Sequence, residues 1–156
     1  MKVKFTVPGN PLGKERSRST IGWKIGKDGK KTPFIREYTP DKTRKYETQV
    51  GYSYKQQCRG VFFKDGVPLD MRITAYFKPP KTLGKKYVTK KMREMMLDHK
   101  IRPTAKPDAS NVQKAIEDGL NHVAYEDDSQ IVDCQFRKFY SEDPRVVVTI
   151  QEADAF

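Results

Sequence analysis

The chain has 156 residues, 36% of them hydrophobic, enough for one modest core and one domain spanning residues 1–156. Residues 1–106 hold 27 Lys/Arg against 9 Asp/Glu, a balance of +18, and residues 107–156 hold 4 against 11, a balance of −7, within a formal net charge of +11. A basic body with an acidic end predicts a polyanion gripped by the first part, with different work for the second. No run of eighteen apolar residues is present to span a bilayer, and Met1 to Phe5 lead into a strand-like pattern rather than a signal peptide. A soluble cytoplasmic protein with no membrane partner is expected. Cys58 and Cys134 lack CxxC spacing and the histidines are His99 and His122, which excludes a zinc cluster and a disulfide framework.

Val3, Phe5 and Val7 alternate with Lys2, Lys4 and Thr6, predicting a strand over 2–7 that Pro8-Gly9 stops. "GNPLGKERSR" follows, a Gly/Pro loop carrying Lys14, Arg16 and Arg18, and "WKIGKDGKKTPFI" reads as a hairpin turning at Asp28-Gly29, a basic flap. Thr39-Pro40 opens a helix, with Pro at its first position, that runs to about Cys58. Leu69, Met71, Ile73, Ala75 and Phe77 alternate with polar or amphipathic residues in the clearest strand of the chain, ended by Pro79-Pro80.

Residues 85–99 combine Lys85, Lys86, Lys90, Lys91 and Arg93 with Val88, Met92, Met95 and Met96 at helical spacing, predicting a helix with an apolar stripe turned to the core. From Val112, the residues Ala115, Ile116, Gly119, Leu120 and Val123 hold a single helical face. Two strands follow, Ile131 to Tyr140 with Val132, Cys134 and Phe136 on one face, and Arg145 to Gln151, joined by a turn at Glu142-Asp143-Pro144. The elements predict an α+β fold, a small mixed sheet of about four strands with about three helices packed mainly on one side.

Three adjacent acids, Glu126, Asp127 and Asp128, stand out in so basic a chain. A solvated turn tolerates them without needing them, and Glu126 is the residue assigned to that role. Asp108 and Ser110 stand where the helix of residues 108–123 begins, and either is a good cap for its free amides. Hard divalent cations take oxygen ligands, usually one or two carboxylates completed by water and phosphate, and a cation relieves repulsion between neighbouring acids. Lys114 pairs either with Asp118, four residues on, or with negative charge developing on a phosphate.

The stretch "KPDASNVQKAIEDGLNHVAYEDDSQIVDCQFRK" resembles the RusA family of Holliday-junction resolvases, whose signature runs approximately KPDxDNxxKxxxDxL, a short gap, DDxQI and a downstream lysine. Pro107, Asp108, Asn111, Lys114, Asp118, Leu120, Asp127, Asp128, Gln130, Ile131 and Lys138 fall in register. The opening "FTVPGNPLGKERSR" is similar to the family's FxVPGxPxxKxRxR, with Lys14, Arg16 and Arg18 matching. The resemblance implies a homodimeric endonuclease that nicks four-way DNA junctions symmetrically with Mg²⁺ or Mn²⁺ and no small-molecule cofactor. It implies Asp108, Asp127 and Asp128 in the acidic, metal-binding centre, with Lys114 as the catalytic lysine.

One position departs from the pattern: Ser110 stands where the family has the second acid of DxD. A serine hydroxyl can ligate the metal or hold its water but brings neither the charge nor the basicity of a carboxylate. The alternative expectation is therefore a branched-DNA-binding protein with weak or no cleavage. A basic RNA-associated protein is a third reading that leaves the acids unexplained. Lys14, Arg16, Arg18, Lys85, Lys86, Lys90 and Lys138 are the expected DNA contacts. A helix from Asp108 to Val123 is roughly 24 Å long, so either the chain folds back along it or two antiparallel copies share their sites.

Overall fold

The computed structural model describes residues 1–154; Ala155 and Phe156, included in the expected domain, lie outside the described residues. In chain order the elements are β1 (Lys2–Pro8), β2 (Arg18–Ile25), β3 (Lys31–Tyr38), α1 (Asp41–Cys58), β4 (Leu69–Phe77), β5 (Thr82–Leu83), β6 (Lys86–Tyr87), α2 (Lys90–Leu97), α3 (Ala109–Leu120), a 3-10 turn (Asp128–Gln130), β7 (Ile131–Tyr140) and β8 (Arg145–Glu152). β1, β8, β4 and β7 form a mixed four-stranded sheet in that order, antiparallel except for the β4–β7 pair, while β2–β3 and β5–β6 are separate two-stranded hairpins. The predicted α+β class, with a small mixed sheet and three helices, is the observed one. No helix among the described residues is long and apolar enough to cross a membrane.

Alternation sends one row of each strand into the core: Phe5 and Val7 from β1, Leu69, Met71, Ile73 and Ala75 from β4, and Val146, Val148 and Ile150 from β8. α1 and α3 cover this face, contributing Tyr46, Val50 and Tyr54 from one and Ala115, Ile116 and Leu120 from the other. The two helices cross where Gly51 meets Gly119. A Cβ on Gly119 would lie 2.8 Å from the Glu47 carbonyl oxygen and 2.9 Å from Val50 Cβ, so the close approach requires glycine. The free edge of β1 is closed by α1 itself: Gln57 accepts from Thr6 N and donates to Thr6 O, and Gln49 donates to Pro8 O. Side-chain amides thus stand in for a fifth strand.

Several boundaries differ from those read in the sequence. Pro40, with ψ 142, occupies the capping position rather than the first helical one. The helix expected over 85–99 is confined to Lys90–Leu97, because Gly84 at φ +61 turns the chain into the β5–β6 hairpin and the Thr89 hydroxyl then caps Met92 N at 3.2 Å. Of its expected apolar stripe only Met96 is fully buried. α3 stops at Leu120, three residues short of Val123, since Asn121 is extended and His122 has φ +61. Val132 does not share a face with Cys134 and Phe136. A bulge between Leu69↔Ile131 and Asp70↔Asp133 leaves it 59% exposed and turns Ile131 inward instead.

Candidate active site

Of the groups expected to do chemistry, Lys114 and Asp128 come together through the fold-back after α3. Ala124 and Tyr125 are buried beneath the helix, and the Tyr125 hydroxyl donates to Glu117 O at 2.9 Å. Buried Gln130 donates to Lys64 O and Val67 O and accepts from Glu126 N and Asp127 N. The chain is thereby folded back along α3 within one molecule. Lys114 Nζ, on α3, donates to Asp128 Oδ2 and lies 3.1 Å from Asp118 Oδ1.

A second lysine extends this array. Gly13 packs so tightly on the start of α3 and the segment before it that a Cβ there would lie 2.8 Å from Pro107 Cβ and 3.2 Å from Asn111 Cβ, and Lys14 N donates to Asn111 O at 2.9 Å. So placed, Lys14 Nζ donates to Asp118 and lies 3.7 Å from Glu47 Oε1. The result is an alternating line, Glu47, Lys14, Asp118, Lys114, Asp128, drawn from the opening loop, both long helices and the 3-10 turn.

The electrostatics follow from this crowding. Hydrogen bonding to Asp128 first, then to Asp118, outweighs desolvation and holds the Lys114 ammonium far above the ordinary lysine range, so the group stays charged at neutral pH. Burial pushes the Glu47 and Glu117 carboxyls up, opposed at Glu47 by Lys14 and at Glu117 by the Gln113 amide. Tyr125 is raised by burial and then by Glu117, Asp128, Asp118 and Asp127, whose charges all reach its hydroxyl.

Asp108 and Asp127 have different surroundings. Asp108 occupies the N-cap position of α3, but its side chain makes no capping hydrogen bond, so the structural role open to it in the sequence is not used. Its carboxylate is exposed on the wall of a groove shared with Gly13, Lys42, Thr43, Lys106 and Asn111. Asp127 caps the 3-10 turn, its Oδ2 accepting from Ser129 N at 3.2 Å, and these hydrogen bonds hold its carboxyl below the usual range. Glu126 is exposed and lies 3.2 Å from His122 Nδ1, as befits a solvated turn residue.

The expected DNA contacts divide in the same way. Lys138 Nζ donates to Ala105 O at 2.7 Å and Pro107 O at 2.9 Å, anchoring the segment that leads to Asp108, and desolvation lowers its pKa while Asp108 opposes the shift. Lys14 is held inside the acidic line. Arg16 is exposed, as are Lys85, Lys86 and Lys90, and these four make no ion pair among the described residues; Arg18 is exposed and bonds Glu15 at 3.3 Å.

Among the described residues no three His, Cys, Asp or Glu side chains lie together as a metal-holding group. The donors nonetheless suit a hard divalent cation in kind, since such an ion needs oxygen ligands and commonly takes only one or two carboxylates from a protein. The carboxylates of Asp108, whose side chain makes no capping hydrogen bond, and of Asp128, which accepts from Lys114, are donors of this kind. Glu47 was missed as a member of the array, and Asp118 was read as a helix partner of Lys114 and as a position in register with the family signature. The i, i+4 spacing was signal enough for Asp118; Glu47 arrives from another helix and has none.

The array thus joins carboxylates and fixed positive charge on the edge of α3, beside a groove that carries Lys42 and Lys106. Residues 8–151 match the endodeoxyribonuclease RusA family, and the chain belongs to it. It is also 35% identical over 153 residues to the uncharacterized protein YqaN of Bacillus subtilis (strain 168), covering 98% of each chain.

Proposed function

We propose that this protein is a metal-dependent endonuclease that resolves four-way DNA junctions by paired symmetric nicks, acting as a homodimer. The observation that carries the reading is the Lys114–Asp128 contact on the fold-back beside α3, within a chain of the RusA family. Asp108 and Asp128 would hold Mg²⁺ or Mn²⁺, with the Ser110 hydroxyl as a further donor. The ion would supply an acidified water and offset charge at the scissile phosphate.

The chain's own groups do the rest. Lys114, kept protonated by Asp128 and Asp118, supplies a fixed positive charge for the phosphate rather than a base. Asp118 aims Lys114 from one turn along the helix, and Lys14 neutralises Asp118 from the other side. Asp127 shapes the turn that presents Asp128. Lys42 and Lys106 flank the groove at Asp108, and Arg16 and Arg18 extend the basic surface beyond it for backbone phosphates. A twofold pair of such chains provides two related sites for two nicks.

The second reading, a junction-binding protein with weak cleavage, rests on Ser110, which is exposed and brings no carboxylate to the start of α3. Cleavage of a synthetic mobile four-way junction, with and without Mg²⁺ or Mn²⁺ and mapped to the nucleotide, tests the first reading. Ser110→Asp run beside the natural chain separates the two: cleavage by the substituted protein alone establishes the binding role.

A further inference from the structure

The β2–β3 hairpin stands apart from everything above. Its register places Ile21 opposite Ile35, Trp23 opposite Pro33 and Ile25 opposite Lys31, so Ile21, Trp23, Ile25, Pro33 and Ile35 share one face. That face is uncovered: Ile21 is 67%, Trp23 61%, Ile25 71% and Ile35 76% exposed. The reverse face is arranged differently. Phe34 lies across Gly22, where a Cβ would come within 2.6 Å of the ring, and Lys24 Nζ sits 5.4 Å from the ring centroid. One aromatic is therefore folded down onto its own hairpin, and the other, Trp23, projects from it.

A two-stranded hairpin with a bare apolar face is marginal in water, so its occupant is the question. Residues 18–38 carry six Lys/Arg against two Asp/Glu. Two copies meeting face to face would oppose like charges, whereas a polyanion complements them. A polyanion that also offers flat apolar surface is a nucleic acid with exposed base planes. The hairpin roots reach the candidate site: Ser17, just before β2, lies in a cleft with Lys14, Arg16, Asn111 and Lys114, and β3 runs into α1 through Pro40. Eight residues of strand reach roughly 25 Å outward from there.

We propose that this hairpin probes the branch point of the DNA, with the Trp23 face stacking on bases left unstacked where the arms meet. The inference rests on the branched-DNA reading and deepens it. Away from its ends a linear duplex keeps its bases paired and stacked and presents no such plane, so the hairpin contributes selectivity for branched over linear DNA rather than general affinity, which comes from phosphate contacts.

Trp23 is the one tryptophan of the chain, so its emission reports on this face alone. The natural protein is titrated in metal-free buffer with a labelled four-way junction and with a linear duplex of matched length and salt, following Trp23 emission and DNA anisotropy together. We expect quenching on junction binding and little on duplex binding, and Trp23→Ala should weaken junction binding about tenfold while changing duplex binding less than twofold. Junction binding with unchanged Trp23 emission, or equal loss on both DNAs, overturns the hairpin assignment and leaves the junction-binding reading standing. Emission that shifts on concentrating the protein without DNA identifies a second copy as the occupant and also overturns it. Failure to bind the junction at all defeats both.

Discussion

The acid and lysine array around α3 and the β2–β3 hairpin are both rich in charge, and they manage it in opposite ways. In the array, Lys14 and Lys114 are each held between two carboxylates, one of them 104 residues away from Lys14 in the chain, and their environment is set by helices crossing at Gly51 and Gly119. In the hairpin, the charged side chains are exposed and the order is local, from the strand register and a turn in which Gly26 N donates to Lys30 O and Lys30 N to Asp28 Oδ1. Long-range order fixes groups for chemistry before a substrate arrives. Local order leaves a surface free to adapt to what it meets. The comparison predicts that substitutions in the array damage rate and stability, and that those in the hairpin damage recognition alone.

The largest effect is expected at Asp128. Asp128→Asn should lower junction cleavage about a thousandfold while leaving binding intact or tighter, since an anion is removed from a phosphate site. Parallel loss of binding and cleavage, measured by gel shift and strand mapping, would make Asp128 a structural acid. Next comes Gly119→Ala. The added methyl meets a backbone carbonyl and a β-branched side chain that cannot yield, so the crossing must open at a cost of about 3 kcal/mol. Chemical denaturation measures this, and an unchanged midpoint would show that the array does not depend on the crossing.

These two residues also mark what the sequence made legible. Asp128 was singled out because its neighbours form a motif and the chemistry of that motif is local. β1, β4, β8 and α3 were visible because alternation and the helical repeat are written residue by residue. Gly119 was seen as part of a helical face but not as a crossing point, and Glu47 was not seen, because the partner helix that gives each its meaning lies 60 or more residues away. The bulge at Val132 was hidden for the same reason: only pairing with β4 shows that Ile131, not Val132, faces inward. Lys14 and Lys138 read as DNA contacts because a lysine's spacing does not record whether a carboxylate or a carbonyl stands within its reach.

Lys14 and Arg16 give the comparison at close range, two cations separated by one residue. Lys14→Ala leaves Glu47 and Asp118 facing each other without their shared ammonium, and should cost about 2 kcal/mol by denaturation. Arg16→Ala should leave the midpoint unchanged and reduce the slope of log affinity against log salt by about 0.9 if it touches one phosphate. The opposite pattern would move the DNA surface into the array.

Lys114 yields a smaller effect with a defined pH window. Its pKa is raised in the fold, so the folded chain holds the proton more tightly than the unfolded one. The stabilisation is therefore fully present below the ordinary lysine pKa of about 10.4 and is lost as pH rises through the folded value. The side chain is 48% exposed, so solvent keeps the contribution below about 1 kcal/mol. The melting difference between the natural protein and Lys114→Met should be flat from pH 6 to 9 and should shrink above about pH 10.5. A difference that changes near neutrality would mean that another group carries the coupling.

The smallest expected effect is at Ile35, and its smallness is the informative part. An isoleucine in a sheet core, such as Ile73 at 1% exposure, would lose about 1–3 kcal/mol on replacement by threonine, because burial is lost and a hydroxyl is left without a partner. Ile35 is 76% exposed, so the same replacement removes little buried area and hydrates the new hydroxyl. Threonine is also a good strand former, which keeps β3 intact. Ile35→Thr should therefore hold the denaturation midpoint within about 0.5 kcal/mol of the natural protein, while Ile73→Thr lowers it clearly. A large loss at Ile35 would show that the hairpin face is already covered in the free protein and belongs to the folded body. An unchanged midpoint together with weakened junction binding would place the two regions where the comparison puts them, one built for chemistry and the other for recognising what is to be cut.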